Sequence, residues 1–198
     1  MSATYRIRPY RPEDAADLFA AARESIAEVS PWLPWCHQQY SMQEASDWAR
    51  SREELARQGV EYNFVVLNEH ERFLGGCGIN QIKPIHRLAN LGYWVRSSEA
   101  GQGVAPRAVS LVARFAFMNT ALLRLEILCA VGNERSQRVA EKAGAVREGT
   151  LADRLLLRGT PCDAIMYSIV RSRWEAAERP DAGVDRTVVA QRQGSVRS

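Results

Sequence analysis

Between Gly92 and Ala105 the chain reads Gly92-Tyr93-Trp94-Val95-Arg96-Ser97-Ser98-Glu99-Ala100-Gly101-Gln102-Gly103-Val104-Ala105: a strand pattern, a glycine loop and the start of a helix. Glycines at 101 and 103 let the backbone turn tightly and lie close to a ligand, and the first N–H groups of the following helix have no carbonyl partner of their own. Together these groups offer an anion site of the kind that suits a pyrophosphate, although the same residues also describe a plain tight turn. No Gly-Lys-Ser/Thr follows, so the segment is not a P-loop, and no G-x-G-x-x-G opens a βαβ unit as a dinucleotide-binding fold requires.

The other residues with chemical capacity are scattered. Cys36, Cys77, Cys129 and Cys162 lie far apart with no C-x-x-C, and the three histidines do not cluster with them, which speaks against a metal site or a disulfide framework. Cys129 sits on an apolar strand pattern and reads as a buried small hydrophobe. Asn133 stands where a helix cap belongs, with Ser136 in the first turn behind it. Trp32 and Trp35 lie on a proline-rich loop, Ser30-Pro31-Trp32-Leu33-Pro34-Trp35, and serve equally as acceptor contacts or as packing. Tyr93 and Trp94 are consecutive on a strand, so one faces the core and only the other a cleft.

These residues need a scaffold, and the periodicities supply one. Thr4 to Arg8 alternates like a strand, and Pro12-Glu13-Asp14 opens a helix that ends near Ser30-Pro31. Ser41-Met42-Gln43-Glu44 is a capping box for a second helix closing at Gly59. Strands follow at Tyr62 to Leu67, Phe73 to Ile82 and Leu88 to Val95, then a helix from Val104 to Met118. Leu122 to Val131 is a strand, Asn133 to Ala143 a short helix stopped by Gly144, and Val146 to Leu157 with Asp163 to Val170 a closing hairpin. The order is βααβββαβαββ. Residues 1–174 make one domain, and beyond Trp174 the polar stretch 175–198 is expected to be a flexible tail.

Composition narrows the classes. With 198 residues, 46% hydrophobic and 25% charged, the chain is long enough for one well-filled core. A formal charge of +3 with dispersed arginines gives no patch for nucleic acid, and no stretch is long and apolar enough to span a membrane. The N-terminus lacks an apolar secretory segment, and with unpaired-looking thiols this leads to the expectation of a cytoplasmic protein.

On its motifs the sequence resembles the GNAT superfamily of acetyl-CoA-dependent N-acetyltransferases, and within it the RimJ/RimL-type branch that acetylates N-terminal amines of ribosomal proteins. The likeness runs from about Tyr5 to Trp174. It is carried by Ala100-Gly101-Gln102-Gly103-Val104-Ala105, by Gly92-Tyr93-Trp94-Val95, by Asn133-Glu134-Arg135-Ser136, and by Glu148-Gly149 with the strand from Asp163 to Tyr167. Ala100 departs from the Gln or Arg usual in the loop, and Pro106 withholds one amide. The resemblance implies an α/β (α+β) fold, a mixed, mostly antiparallel twisted sheet flanked by four helices and splayed between strands four and five. It further implies acetyl-CoA as co-substrate, held by Trp94, Val95, Arg96, residues 100–105, Asn133 and Ser136, with no metal, and a backbone N–H near Val95 facing the thioester oxygen.

Other implications concern chemistry. The position matching the tyrosine acid of many such enzymes is Ala140, whereas Ser136 matches the serine that protonates the departing thiolate in the ribosomal branch. Where that branch often carries carboxylates, this chain has Asn90 and Leu155; Asp153, two residues before Leu155, is the substitute candidate for the base, with Glu126 as a rival. Asn133, Ser136 and Asp153 are thus the expected catalytic residues, and Trp32, Trp35 and Tyr93 the expected acceptor contacts. The acceptor expected is a protein or peptide N-terminal α-amine; the alternatives are a small-molecule amine, or a non-catalytic acyl-CoA-binding module. A homodimer is in keeping with the resemblance.

Overall fold

The computed structural model describes residues 4–178. One seven-stranded sheet, in the order β1-β2-β3-β4-β5-β7-β6, is built from β1 (Tyr5–Pro9), β2 (Tyr62–Asn68), β3 (Phe73–Lys83), β4 (Leu88–Val95), β5 (Arg124–Ala130), β6 (Val146–Leu157) and β7 (Thr160–Val170). Every neighbouring pair is antiparallel except β4 and β5. That parallel pair follows from the intervening helix, because a parallel neighbour requires a crossover. The pairing spans only Leu88–Asn90 against Arg124–Glu126. Past it the strands part: residues 91–95 stay with β3, while Ile127 to Ala130 stay with β7. The expected splay is therefore present.

Both faces of the sheet are covered. On one, α4 (Val104–Asn119) and α5 (Glu134–Lys142) bury Val109, Val112 and Ala140 against Leu125, Ile127 and Tyr167. On the other, α1 (Ala15–Glu24), α2 (Ile26–Val29) and α3 (Met42–Arg57) bury Leu18, Ala22, Ile26 and Ala45 with Val65, Leu67 and Phe73. Each large apolar side chain taken from water contributes about 1.5–3 kcal/mol, so the sheet is held from both sides. The capping box at Ser41 and Glu44 forms as expected, with Ser41 Oγ accepting from the Glu44 N–H.

Among the described residues six α-helices stand where four were expected. The first expected helix is divided at Ser25, whose hydroxyl donates to the Ala21 carbonyl at 2.7 Å and accepts from the Ser97 N–H at 3.0 Å. A contact 72 residues away in sequence thus sets the break, and no local pattern announces it. The sixth helix, α6 (Arg171–Glu178), docks where the Arg171 guanidinium donates to the carbonyls of Leu122 and Thr120 and Trp174 meets Phe117. The boundary expected at residue 174 falls inside α6, and residues 179–198 of the expected tail lie outside the described residues.

Candidate functional site

The glycine loop leaves β4 through a turn at Ser97–Glu99 and enters α4 with Gly101 and Gly103 at φ +81° and +83°. Those angles need glycine, and a Cβ at either would meet nothing within 4 Å, so the loop is bare on its outer side. Val104 and Ala105 open α4 with N–H groups that no side chain caps, and the first turn carries no acidic residue. Pro106 contributes no N–H, and the first intrahelical bond runs from Arg107 N–H to the Gly103 carbonyl. The positive end of α4 is thus presented to an anion.

The loop is tied down behind. Arg96 gives its guanidinium to Glu24 at 2.7 Å and to the Phe73 carbonyl, while the Ser98 N–H donates to the same carboxylate. That pairing holds the Glu24 carboxyl down at about 2. The exposed Gln102 side chain donates to the Ser98 carbonyl, and the Gln102 main-chain carbonyl accepts from the Tyr5 hydroxyl. The side chains of Arg96 and Gln102 are therefore engaged within the protein, and they hold the loop from behind.

Opposite the loop, across the splay, a hydroxyl cluster joins β4, β5 and α5. Asn133 caps α5 by accepting the Ser136 N–H at 3.1 Å, which sets Ser136 over the opening. Ser136 Oγ lies 2.9 Å from the Tyr93 hydroxyl and 3.2 Å from Cys129 Sγ, and the Tyr93 hydroxyl also reaches the Ser136 carbonyl at 2.9 Å. Burial pushes the Tyr93 phenol and the Cys129 thiol up, keeping both protonated at neutral pH. The cluster is a neutral, proton-bearing set of hydroxyls beside the gap.

On the α1–α3 face a cavity of ≈ 520 Å³ opens over β2, β3 and β4. Its floor carries almost no side chains. Gly78 faces Gly92 directly, and Gly76 lies one step along β3. A Cβ on Gly76 would stand 2.6 Å from the Tyr10 hydroxyl, and one on Gly78 would stand 2.7 Å from Asn63 Oδ1. Aromatic walls rise from this floor: Trp35 meets Trp94 edge-on at 5.2 Å and Tyr40 at 5.6 Å, and Tyr10 meets Trp48. Asn63, Asn80, Asn90, Glu44 and Glu61 add polar groups to the lining. Glu61 pairs with Arg52, which stacks on Trp48, and Glu44 is engaged by Ser41 and His37.

Several residues expected in the site take particular places. Tyr93 and Trp94 divide the two faces, Tyr93 toward Ser136 and Trp94 toward the aromatic cavity. Trp35 lines that cavity, but Trp32 lies over Gly132 beside Asn133, in a second, more open depression. Asp153 is exposed at φ +48°, its N–H donating to Asp163, and lines neither depression. The two-residue alternation that aligned it with Leu155 is broken by the irregularity between Leu151 and Leu155. Glu126 stands opposite Asn90 at the last paired position before the splay and is bound by Arg124 at 2.8 Å.

Sequence reasoning missed Tyr10, Tyr40, Glu61, Asn63 and Asn80. They converge only through cross-strand register and the docking of α3, for which the chain carries no local signal. Glu44 was legible, but only as a helix cap.

Residues 5–146 match the acetyltransferase (GNAT) domain family. The chain is 28% identical over 174 residues to the protein YdaF of Bacillus subtilis (strain 168), covering 85% of this chain and 92% of that one. It is 27% identical over 168 residues to the ribosomal-protein-serine acetyltransferase of Escherichia coli (strain K12), covering 78% and 92%. Among solved structures, Mycobacterium smegmatis RimJ in complex with CoA-disulfide superposes with a TM-score of 0.78 at 25% identity, over 90% of this chain and 91% of that one.

Proposed function

Because the chain belongs to the GNAT acetyltransferase family, we propose that its own site transfers an acetyl group from acetyl-CoA to a primary amine, and that the amine is the N-terminal α-amine of a protein or peptide. The observation that carries this is the splay between β4 and β5, with uncapped amides at one side and the aromatic cavity at the other. Acetyl-CoA supplies the activated acetyl thioester. The fit rests on Val104 and Ala105, whose free N–H groups face outward beside the bare glycines and have no partner in the helix.

The chain's own groups then have definite tasks. Residues 91–95 pair with β3 on one edge and have no β5 partner on the other, and on that open edge the N–H near Val95 donates to the thioester oxygen. The acceptor enters from the cavity, on the face opposite α4, so the two substrates meet in the gap rather than compete for one entrance. As the new N–C bond forms and the C–S bond breaks, the amine loses a proton and the sulfur gains one. Ser136 donates that second proton, with Tyr93 and Cys129 holding its hydroxyl in place, and its oxygen is reprotonated through solvent as the carboxylate that took the first proton releases it. The first proton passes, directly or through water, to a carboxylate that lines the cavity, Glu61 or Glu44. The ribosomal-protein acceptor of the E. coli relative supports the peptide reading of the amine.

Thiol release from acetyl-CoA with a panel of peptide and small amines tests the reading, preceded by calorimetric binding of acetyl-CoA. Amine-dependent release from peptides establishes it; tight binding without release from any amine points to the non-catalytic module, and absence of binding rejects the site. The base is assigned by pH–rate profiles. Glu61→Gln is expected to lower the rate about tenfold to a hundredfold at neutral pH, while Asp153→Asn leaves the profile in place. The reverse result returns the base to β6.

A further inference from the structure

Asn63 is an anomaly in an otherwise satisfied interior. Its Nδ2 is the one buried side-chain polar atom without a hydrogen-bond partner among the described residues, and it belongs to the cavity lining. Oδ1 of the same amide lies over Gly78, 2.7 Å from where a Cβ would stand, with no donor of the described residues on it. An unpaired buried amide costs about 1–3 kcal/mol, so a partner from outside the chain is the natural complement. In the same lining, Asn90 Nδ2 donates to Asn80 Oδ1 at 2.9 Å, which leaves the Asn80 donor and the Asn90 acceptor free.

We infer that the cavity selects an acceptor that carries, beyond any peptide bond, a terminal carboxamide near its reacting amine, held by Asn63 against the aromatic walls. This rests on the proposed transfer to an amine and names the acceptor's chemistry. The unpaired amide presents a donor and an acceptor side by side, and a carboxamide answers both at once. A carboxylate has no donor and would meet Glu44 and Glu61 in the same lining; an ammonium has donors only and leaves the Asn63 Nδ2 unanswered. A hydroxyl offers its donor and acceptor from one atom and cannot pair with both ends of the amide. The flat faces of Trp35 and Trp94 suit a planar group, and a volume of ≈ 520 Å³ exceeds what a one- or two-atom side chain fills.

Two isosteric sets test this. Peptides identical except for a first residue of Asn, Leu or Asp compare amide, apolar and anionic groups of one shape, and γ-aminobutyramide against isohexylamine does the same for free amines. The expected result is a kcat/KM for the amide-bearing acceptor about tenfold or more above its apolar isostere, with Asp the poorest. Whichever set shows the larger ratio identifies a peptide or a small molecule as the source of the amide. In Asn63→Leu the ratio is expected to fall to about one while acetyl-CoA affinity is retained; Asn63→Asp, which keeps the shape and removes the donor, serves if the leucine variant does not fold. Equal turnover of both isosteres in both sets, or a preference that survives at position 63, overturns the inference. If no amine releases thiol, quenching of tryptophan fluorescence reads the same selectivity as binding: tighter binding of the amide-bearing members sustains the inference although the transfer reading has failed, and equal binding overturns it.

Discussion

At the scale of single residues, the role of Ser136 is set by what surrounds it. Its hydroxyl is held between Tyr93 and Cys129 in a half-buried neutral setting, so it keeps its proton until a departing thiolate beside it offers an anionic sulfur to take it up. Ser136→Ala is expected to lower kcat about tenfold to a thousandfold with acetyl-CoA affinity nearly unchanged, measured by steady-state kinetics beside calorimetry. Tyr93→Phe deletes the contacts to both the hydroxyl and the carbonyl of Ser136. A smaller rate loss is expected there, with about 1 kcal/mol of stability lost in denaturant melts. Asn133 was legible as a cap because a helix cap is a local pattern, read from residues three apart, whereas Ser136 was singled out only through the family resemblance. The place of Asp153 was not legible, since the irregularity before Leu155 cancels the alternation on which its placement relied. Glu61 precedes β2 and reaches the cavity only because Arg52 of α3 fixes it there.

Among the elements, the connection from β4 to α4 depends on α1 more than on its own sequence. Glu24 receives both Arg96 and the Ser98 N–H, and Ser25 receives the Ser97 N–H, so the end of α1 holds the turn that precedes the glycines. Because Arg96 depresses the Glu24 carboxyl from 4.5 to about 2, this link contributes stability that is complete above the ordinary carboxylate value and is lost as pH falls through the lower one. Thermal melts of the parent chain should therefore decline between about pH 5 and pH 2, and Glu24→Gln should decline less steeply across that window. The same variant is expected to weaken acetyl-CoA binding severalfold at neutral pH, since the amides lose their backing. Gly103→Ala tests the loop from the other side: with nothing within 4 Å its cost is the left-handed backbone alone, about 1 kcal/mol, accompanied by weaker acetyl-CoA binding. Strand and helix order was legible from period and caps, whereas the break at Ser25 and the docking of α6 came from contacts distant in sequence.

For the molecule as a whole, the narrow seam between β4 and β5 is decisive. Sheet pairing joins β1–β4 to β5–β7 through three residue pairs, supplemented by Arg87 to Ala121 and Tyr93 to Ser136. A ligand lying in the gap touches both parts, so saturating acetyl-CoA should stabilise the fold by about 2.7 kcal/mol at a hundredfold excess over Kd. Hydrogen exchange should slow over residues 91–95 in the same samples, and a rise in melting temperature without that local protection would place the ligand elsewhere. The cavity floor, finally, is unequal in what it tolerates. Gly76 and Gly78 are locked under Tyr10, Trp94 and Asn63, but a methyl group on Gly92 would have only Asn90 Nδ2 near it, at 4.0 Å. Of these three floor glycines Gly92 alone has room for a methyl group, so Gly92→Ala takes depth from the cavity while its walls stay where they are.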